Sequence, residues 1–398
     1  MLNILLCALR AHRWLALLGA GFILSSLGNG LTYVIVFGEL LHMHAAVSSL
    51  TLAYLLSTLP GWLGSQLGER LCRHLSPFQI LIAGEMLGLG GLILPAYGVL
   101  GHSIPLLLSA QCISALTTGM TLPAISMIFK RGLSTEELGA ATCLETLIFA
   151  SHVLLGVGAG VLLYPLLPPL ALIGCDVLSF VLSAGLLLLA SQDFSVVTTG
   201  IRMDIPAALP WSGLVGGQKR SILLLPVLAL VGTPAMALLP ALVTTGAGSG
   251  YMGLSLLFAR SLGQLLGPLL LSAKNLRDQG NNNRSLLLCL TLFIISYVLA
   301  TLIPGWLPAM MLIFIAHLAS NRVFALGMFG LLDNFGPGQV SLASAKAYRW
   351  QLLVTGVMSL LAGMLADRVG AAVALYLLSG GGMIGAILGL PAIGRRQQ

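Results

Sequence analysis

Ser65-Gln-Leu-Gly-Glu-Arg-Leu-Cys-Arg-His74 closes one apolar stretch, 46–68, and leads into another, 78–99. A chain that turns so abruptly from one apolar run into the next reads as a helical hairpin, because roughly 20 apolar residues span the hydrocarbon core of a bilayer. The pattern repeats along the whole sequence. Apolar helices are predicted at 13–37, 46–68, 78–99, 104–129, 138–164 and 166–190, and again at 221–246, 249–273, 285–304, 306–332, 341–366 and 370–393. The fold class expected is an all-α integral membrane protein of twelve transmembrane helices in two six-helix bundles. The polar stretch 191–220 is the longest connection, so the division expected is an N-terminal bundle 1–190, a central linker 191–220 and a C-terminal bundle 221–398.

Composition agrees. Hydrophobic residues make up 57% of the chain and charged residues 8%, against about 25% charged in a soluble domain. Too little polar surface exists to cover such a chain in water. Fourteen of the nineteen lysines and arginines, Arg10, Arg13, Lys130, Arg131, Arg202, Lys274, Arg395 and Arg396 among them, fall on one side of the twelve crossings. The positive-inside bias makes that side cytoplasmic and brings both termini there. Residues 1–13 read as a cytoplasmic lead-in rather than a signal peptide.

Other classes are set aside on the same evidence. The net charge of +7 does not point to nucleic acid, since the basic residues form no patch interleaved with aromatics. The six cysteines show no CxxC pairing, and most sit in apolar runs, so neither a zinc site nor a disulfide framework is expected. His42 and His44, two apart in an outer loop, lack further ligands and are not expected to hold a metal. With no phosphate loop, Ser-His-Asp array or HExxH motif, no enzyme and no cofactor is expected.

The 65–74 segment resembles the charged loop between helices 2 and 3 of the major facilitator superfamily, with Glu69, Arg70, Arg73 and His74 at its charged positions. Ser65 and Cys72 stand where that family usually has glycine. Ser25-Ser-Leu-Gly-Asn-Gly-Leu-Thr32, Leu122-Pro-Ala124, Ser134-Thr-Glu-Glu-Leu138 and Asp176-Val-Leu-Ser-Phe-Val-Leu-Ser-Ala184 are similar to segments of its enterobactin-exporter-like and macrolide-efflux-like branch. Three positions depart from the pattern: Asn29 replaces an acidic residue, Gln111 an arginine and Val157 a proline. The resemblance implies a cytoplasmic gate formed by Glu69, Arg70 and Arg73, and transport by alternating access.

Ionisable groups inside a bilayer are costly and normally face a cavity or a partner. Asp176 and Glu145 are the candidates for proton coupling, Arg260 and Arg322 for holding an acidic substrate group. Asn29, Tyr33, Gln111, Gln264 and Trp350 are expected to complete the substrate site. The alternatives are structural: a salt bridge or helix cap at Asp176, and pairing of Glu145 with Lys130 or Arg131. Glu85 reads as structural, and the His317, Asn321 and Arg322 face of helix 10 as cavity-lining. Pro226, Pro234 and Pro240 are expected to break helix 7.

Together these readings predict a monomeric secondary transporter of a bacterial inner membrane. Its partners would be protons and a small organic molecule, a carboxylate-bearing siderophore being the export substrate the arginines favour. Multidrug or macrolide efflux, uptake of a siderophore or nutrient, and a non-transporting receptor or scaffold stay open.

Overall fold

The computed structural model describes residues 1–43, 52–53, 55–198, 205–243, 249–272 and 276–394, and every regular element among them is helical. A short helix, α1 (Leu2–Ala11), buries Leu5 and Ala8 and leaves Leu2 and Leu6 exposed. The first long helix, α2 (Arg13–His42), continues past the end expected near 37. Then follow α3 (Pro60–Leu71), α4 (Pro77–Gly91), α5 (Ile93–Leu100), α6 (Ile104–Gly132) and α7 (Leu138–Ser151). A π turn (His152–Val157) joins α7 to α8 (Gly158–Leu163), and α9 (Pro169–Thr198) ends the first half. The second half holds α10 (Gly216–Val243), α11 (Ser249–Leu269), the short α12 (Leu276–Asn281), α13 (Asn283–Leu302), α14 (Trp306–Asn334), α15 (Val340–Val369) and α16 (Ala371–Gly394).

Ten of these segments are long and apolar enough to cross a bilayer, with α4–α5 and α7–α8 each counted as one. The helices α3 and α11 stand where the other two crossings are predicted. Part of the second predicted crossing, together with His44, Arg202, Asp204, Lys274, Arg395 and Arg396, lies outside the described residues. The stretch read as a linker is helical at both ends, through Thr198 and from Gly216.

Local chemistry sets the helix ends. Ser76 and Gln79 form a reciprocal capping box at the start of α4, with Pro77 in the first turn, where its missing N–H is no loss. Asn282 caps α13 by accepting from the Ser285 amide at 3.2 Å. By contrast, α10 runs unbroken through Pro226, Pro234 and Pro240, contrary to the sequence expectation. It is packed between α15, α16 and α14, and such neighbours hold a membrane helix on course where proline removes a backbone bond.

Within the first half α2 lies along α9, while α3 and α4 lie on α6; within the second, α11 and α13 lie on α14, and α10 on α15 and α16. Among the described residues the halves join chiefly through α15 against α3 and α6, and through α7 against α11 and α14. The outside is strongly apolar. Leu162, Leu166, Leu288 and Leu388 are 69–75% exposed, a surface suited to lipid and not to water.

Candidate functional site

The interior ionisable groups divide between two helix seams. In the α2/α9 seam Asp176 is fully buried and accepts a hydrogen bond from Thr32 Oγ1 at 2.5 Å and another from Ser179 Oγ at 3.0 Å. The helices come this close because residue 28 has no side chain. A Cβ on Gly28 would stand 2.1 Å from Asp176 Oδ1 and 2.0 Å from Ser179 Oγ. Glu85 of α4 is also buried there, facing Ser25 and Ser183. No cation pairs with Asp176 among the described residues; hydroxyl donors hold it in place.

The α11/α14 seam is equally tight and differently furnished. Added carbons on Gly263 and Gly267 would lie 2.4 Å from Phe314 O and 2.6 Å from Leu318 O, so the two backbones touch. Small residues four apart permit such an approach. Arg260 and Gln264, one turn apart on α11, lie beside these glycines; His317 and Asn321 line the contact from α14, and Arg322 follows Asn321 on that helix. Tyr297 of α13 closes one side, its hydroxyl 2.8 Å from His317 Nε2. Four buried atoms here have no hydrogen-bond partner: Arg260 Nε, Gln264 Oε1, His317 Nδ1 and Arg322 Nε. Buried polar atoms are normally paired, and guanidinium N–H groups in this condition suit a carboxylate or phosphate.

The remaining expected residues are distributed around these seams. Glu145, on α7 where that helix meets α11 and α14, has both carboxylate oxygens buried without a partner. The pairing with Lys130 or Arg131 considered from the sequence does not form among the described residues. Asn29 turns back on its own helix, donating to Ser25 O at 2.9 Å. Tyr33 stacks on Phe37 at 4.5 Å and meets His152 edge-on at 6.3 Å. Gln111 is buried in α6. Trp350 stands apart: it is 48% exposed and shares one face of α15 with exposed Leu353, Val357, Leu360 and Met364. That face is a continuous apolar stripe, so the structure does not gather Trp350 with the interior residues.

At the end of the bundle nearest the linker, the 65–74 segment is tied across the halves. Glu69 Oε2 pairs with Arg349 of α15 at 2.7 Å, and Glu69 Oε1 with Arg73 at 3.2 Å. Arg73 also donates to Ala207 O at 2.7 Å, and Lys346 donates to Leu209 O at 2.8 Å. Trp211 lies between Lys219 and Lys346, their ammonium groups 6.0 and 5.5 Å from its ring. The linker is thus strapped over the join. Arg70, expected in the gate, is exposed and forms no ion pair among the described residues. Ahead of α7, Glu137 accepts from the Ser134 amide at 3.0 Å and lies 2.9 Å from His12 Nε2, anchoring the chain just after α1.

The gate expected from the sequence left out Lys346 and Arg349, which hold this strap. It missed Trp211 altogether. The three-residue spacing of Lys346 and Arg349, on one helix face opposite a loop carboxylate, was the available signal. Tyr297 gave none, being a lone tyrosine in an apolar run.

No family model matches the chain. A curated protein of Pseudescherichia vulneris, described as an uncharacterized 29.9 kDa protein in the crtE 3' region, is 46% identical over 94 residues, 22% of this chain and 35% of that protein. The chain therefore spans about a third of that relative's length. Solved structures match nearly end to end. A bacterial homologue of the iron transporter ferroportin in an outward-facing state has a TM-score of 0.74 at 17% identity, covering 96% of this chain and 99% of that one. The human organic anion transporter MFSD10 gives 0.70 at 13% identity, with 94% and 98% covered. The E. coli fucose:proton symporter FucP gives 0.62 at 15%, again with 94% and 98% covered. The chain has the fold of major facilitator transporters.

Proposed function

We propose that this protein is a secondary transporter, not an enzyme, that moves a small organic anion across a bacterial inner membrane by alternating access. The observation that carries the reading is the α11/α14 seam, where Arg260 and Arg322 each hold a buried nitrogen without a partner. A site for a cationic drug would need the opposite furnishing. The moving bodies are the bundles 1–190 and 221–398, joined by the 191–220 linker, with both termini and the strap on the cytoplasmic side. The strap closes that side in this conformation, in keeping with the likeness to an outward-facing relative.

Substrate recognition is assigned to Arg260, Arg322 and Gln264, with Asn29, Tyr33 and Gln111 on the opposing half. For proton coupling, Glu145 is preferred over Asp176. Both of its oxygens are unpartnered and it lies on the helix that meets the arginine-bearing seam, whereas Asp176 is already satisfied by Thr32 and Ser179. A carboxylate-bearing siderophore, moved outward, is the substrate we favour; uptake remains the second direction, and macrolide or multidrug efflux fits the arginines less well.

The test is flux in proteoliposomes holding the purified protein, with a panel of small carboxylates, a catecholate siderophore and a lipophilic cation, under an imposed pH gradient. Gradient-driven movement of an anion, lost in Arg260→Gln and Arg322→Gln, supports the reading. Movement of the cation alone, or anion flux indifferent to both substitutions, defeats it.

A further inference from the structure

On the linker side of the second half, outside the seam just described, a cavity of about 250 Å³ lies between α10, α12 and α14. Arg220 forms part of its wall and is only 7% exposed. Its Nε and Nη2 donate to Gly280 O at 3.0 and 2.9 Å, and its Nη1 donates to the Asn283 side-chain oxygen. These partners are neutral, and no carboxylate pairs with Arg220 among the described residues. The one carboxylate in the wall, Asp333, is taken by Arg277 through two bonds of 2.6 Å each. Lys130 reaches from the first half into the field of that pair. Arg220 and Arg277 thus share the wall with a single carboxylate, above an apolar floor of Leu224, Leu326 and Phe329.

Burying a cation without a counter-charge is costly, and an anion that enters lifts the cost. The guanidinium offers two further N–H groups in a plane, a geometry that matches phosphate oxygens. Basic pockets between membrane helices on the cytoplasmic side are suited to anionic headgroups. We propose that this cavity binds a phosphate group, carried by an anionic lipid of the adjoining leaflet or by a soluble phosphate, with Arg220 as its principal cation. The site does not depend on what the protein transports.

The full chain would be placed in nanodiscs of phosphatidylcholine, of phosphatidylcholine with phosphatidylglycerol, or of phosphatidylcholine with millimolar inorganic phosphate at matched ionic strength. Thermal unfolding and native mass spectrometry are then read in parallel. A lipid ligand raises the midpoint by roughly 5 °C in the phosphatidylglycerol discs only and leaves one lipid retained; a soluble ligand gives the rise with inorganic phosphate. Arg220→Gln removes the response, and Arg368→Gln keeps it. Should Arg220→Gln fail to fold, Arg220→Lys serves instead: it keeps the charge and loses the planar fork, so the response should weaken. Equal midpoints for the wild type in all three discs overturn the proposal, as do equal responses in the wild type and the variants.

Discussion

The α2/α9 and α11/α14 seams use the same packing device and leave opposite chemistry behind. In both, glycine lets two membrane helices approach closely. In the first, Asp176 is bound by Thr32 and Ser179, while Glu85 Oε2 and Ser183 Oγ are left without partners. In the second, nitrogens of Arg260 and Arg322 and a nitrogen of His317 are enclosed without partners. Tight packing therefore does not distinguish a structural seam from a receptive one. The difference lies in what is left over: carboxylate and hydroxyl oxygens beside the first seam, guanidinium nitrogens beside the second.

The comparison breaks most sharply at Gly28. Gly28→Val forces a side chain into the Asp176 carboxylate, and overpacking of this kind costs about 1–3 kcal/mol or more. Monodisperse protein should be largely lost in size-exclusion chromatography, while Asp176→Asn, which still accepts from Thr32, stays folded. A fully folded Gly28→Val variant would mean the seam is looser than the structure has it.

Arg260→Gln tests the other seam. Losing one charged donor removes about 1.5–3 kcal/mol of binding, so substrate affinity should fall roughly 10- to 100-fold with little change in thermal midpoint. A large stability loss with unchanged affinity would make Arg260 structural, and the two seams alike.

A smaller effect is expected at the strap. Glu69 and Arg349 are 17% and 20% exposed, so water screens their pair only in part, and breaking it is worth about 1 kcal/mol. Glu69→Gln should raise the inward-open population up to about fivefold, read by labelling single cysteines placed on the cytoplasmic side. Unchanged labelling would assign closure to the linker contacts of Arg73 and Lys346.

The smallest effect concerns acid. Burial by itself would raise the Glu137 pKa, but bonds from the Ser134 amide, His12 and the Ser134 hydroxyl outweigh it and hold the carboxyl below its ordinary value of 4.5. A depressed value means the contribution is complete above about pH 4.5 and is lost as pH falls through the lower, folded value. Hydrogen exchange in α1 should therefore rise only below that point, and Glu137→Gln should flatten the profile.

The crossings were legible in the sequence because a bilayer dictates length and polarity residue by residue. Identifying Arg260 and Arg322 as informative needed only the cost of charge in lipid. Which of the interior charges would be satisfied was not legible. Asp176 and Glu145 look alike in one dimension, and the hydroxyls that separate them come partly from another helix. The strap escaped for the same reason, since Glu69 meets Arg349, and Trp211 meets Lys346, only once the halves are assembled.

The π turn at His152–Val157 has a consequence for how the fifth crossing should be aligned. Each wider turn takes up one extra residue, and one residue on a helix is about 100° of rotation. Leu138–Ser151 and Gly158–Leu163 are therefore out of phase with each other. A regular repeat drawn through the whole crossing would put either Glu145 or Gly160 on the wrong side. Deleting one residue within the turn would restore a uniform spiral and rotate one end of the helix relative to its neighbours, a change in phase that no point substitution at either end reproduces.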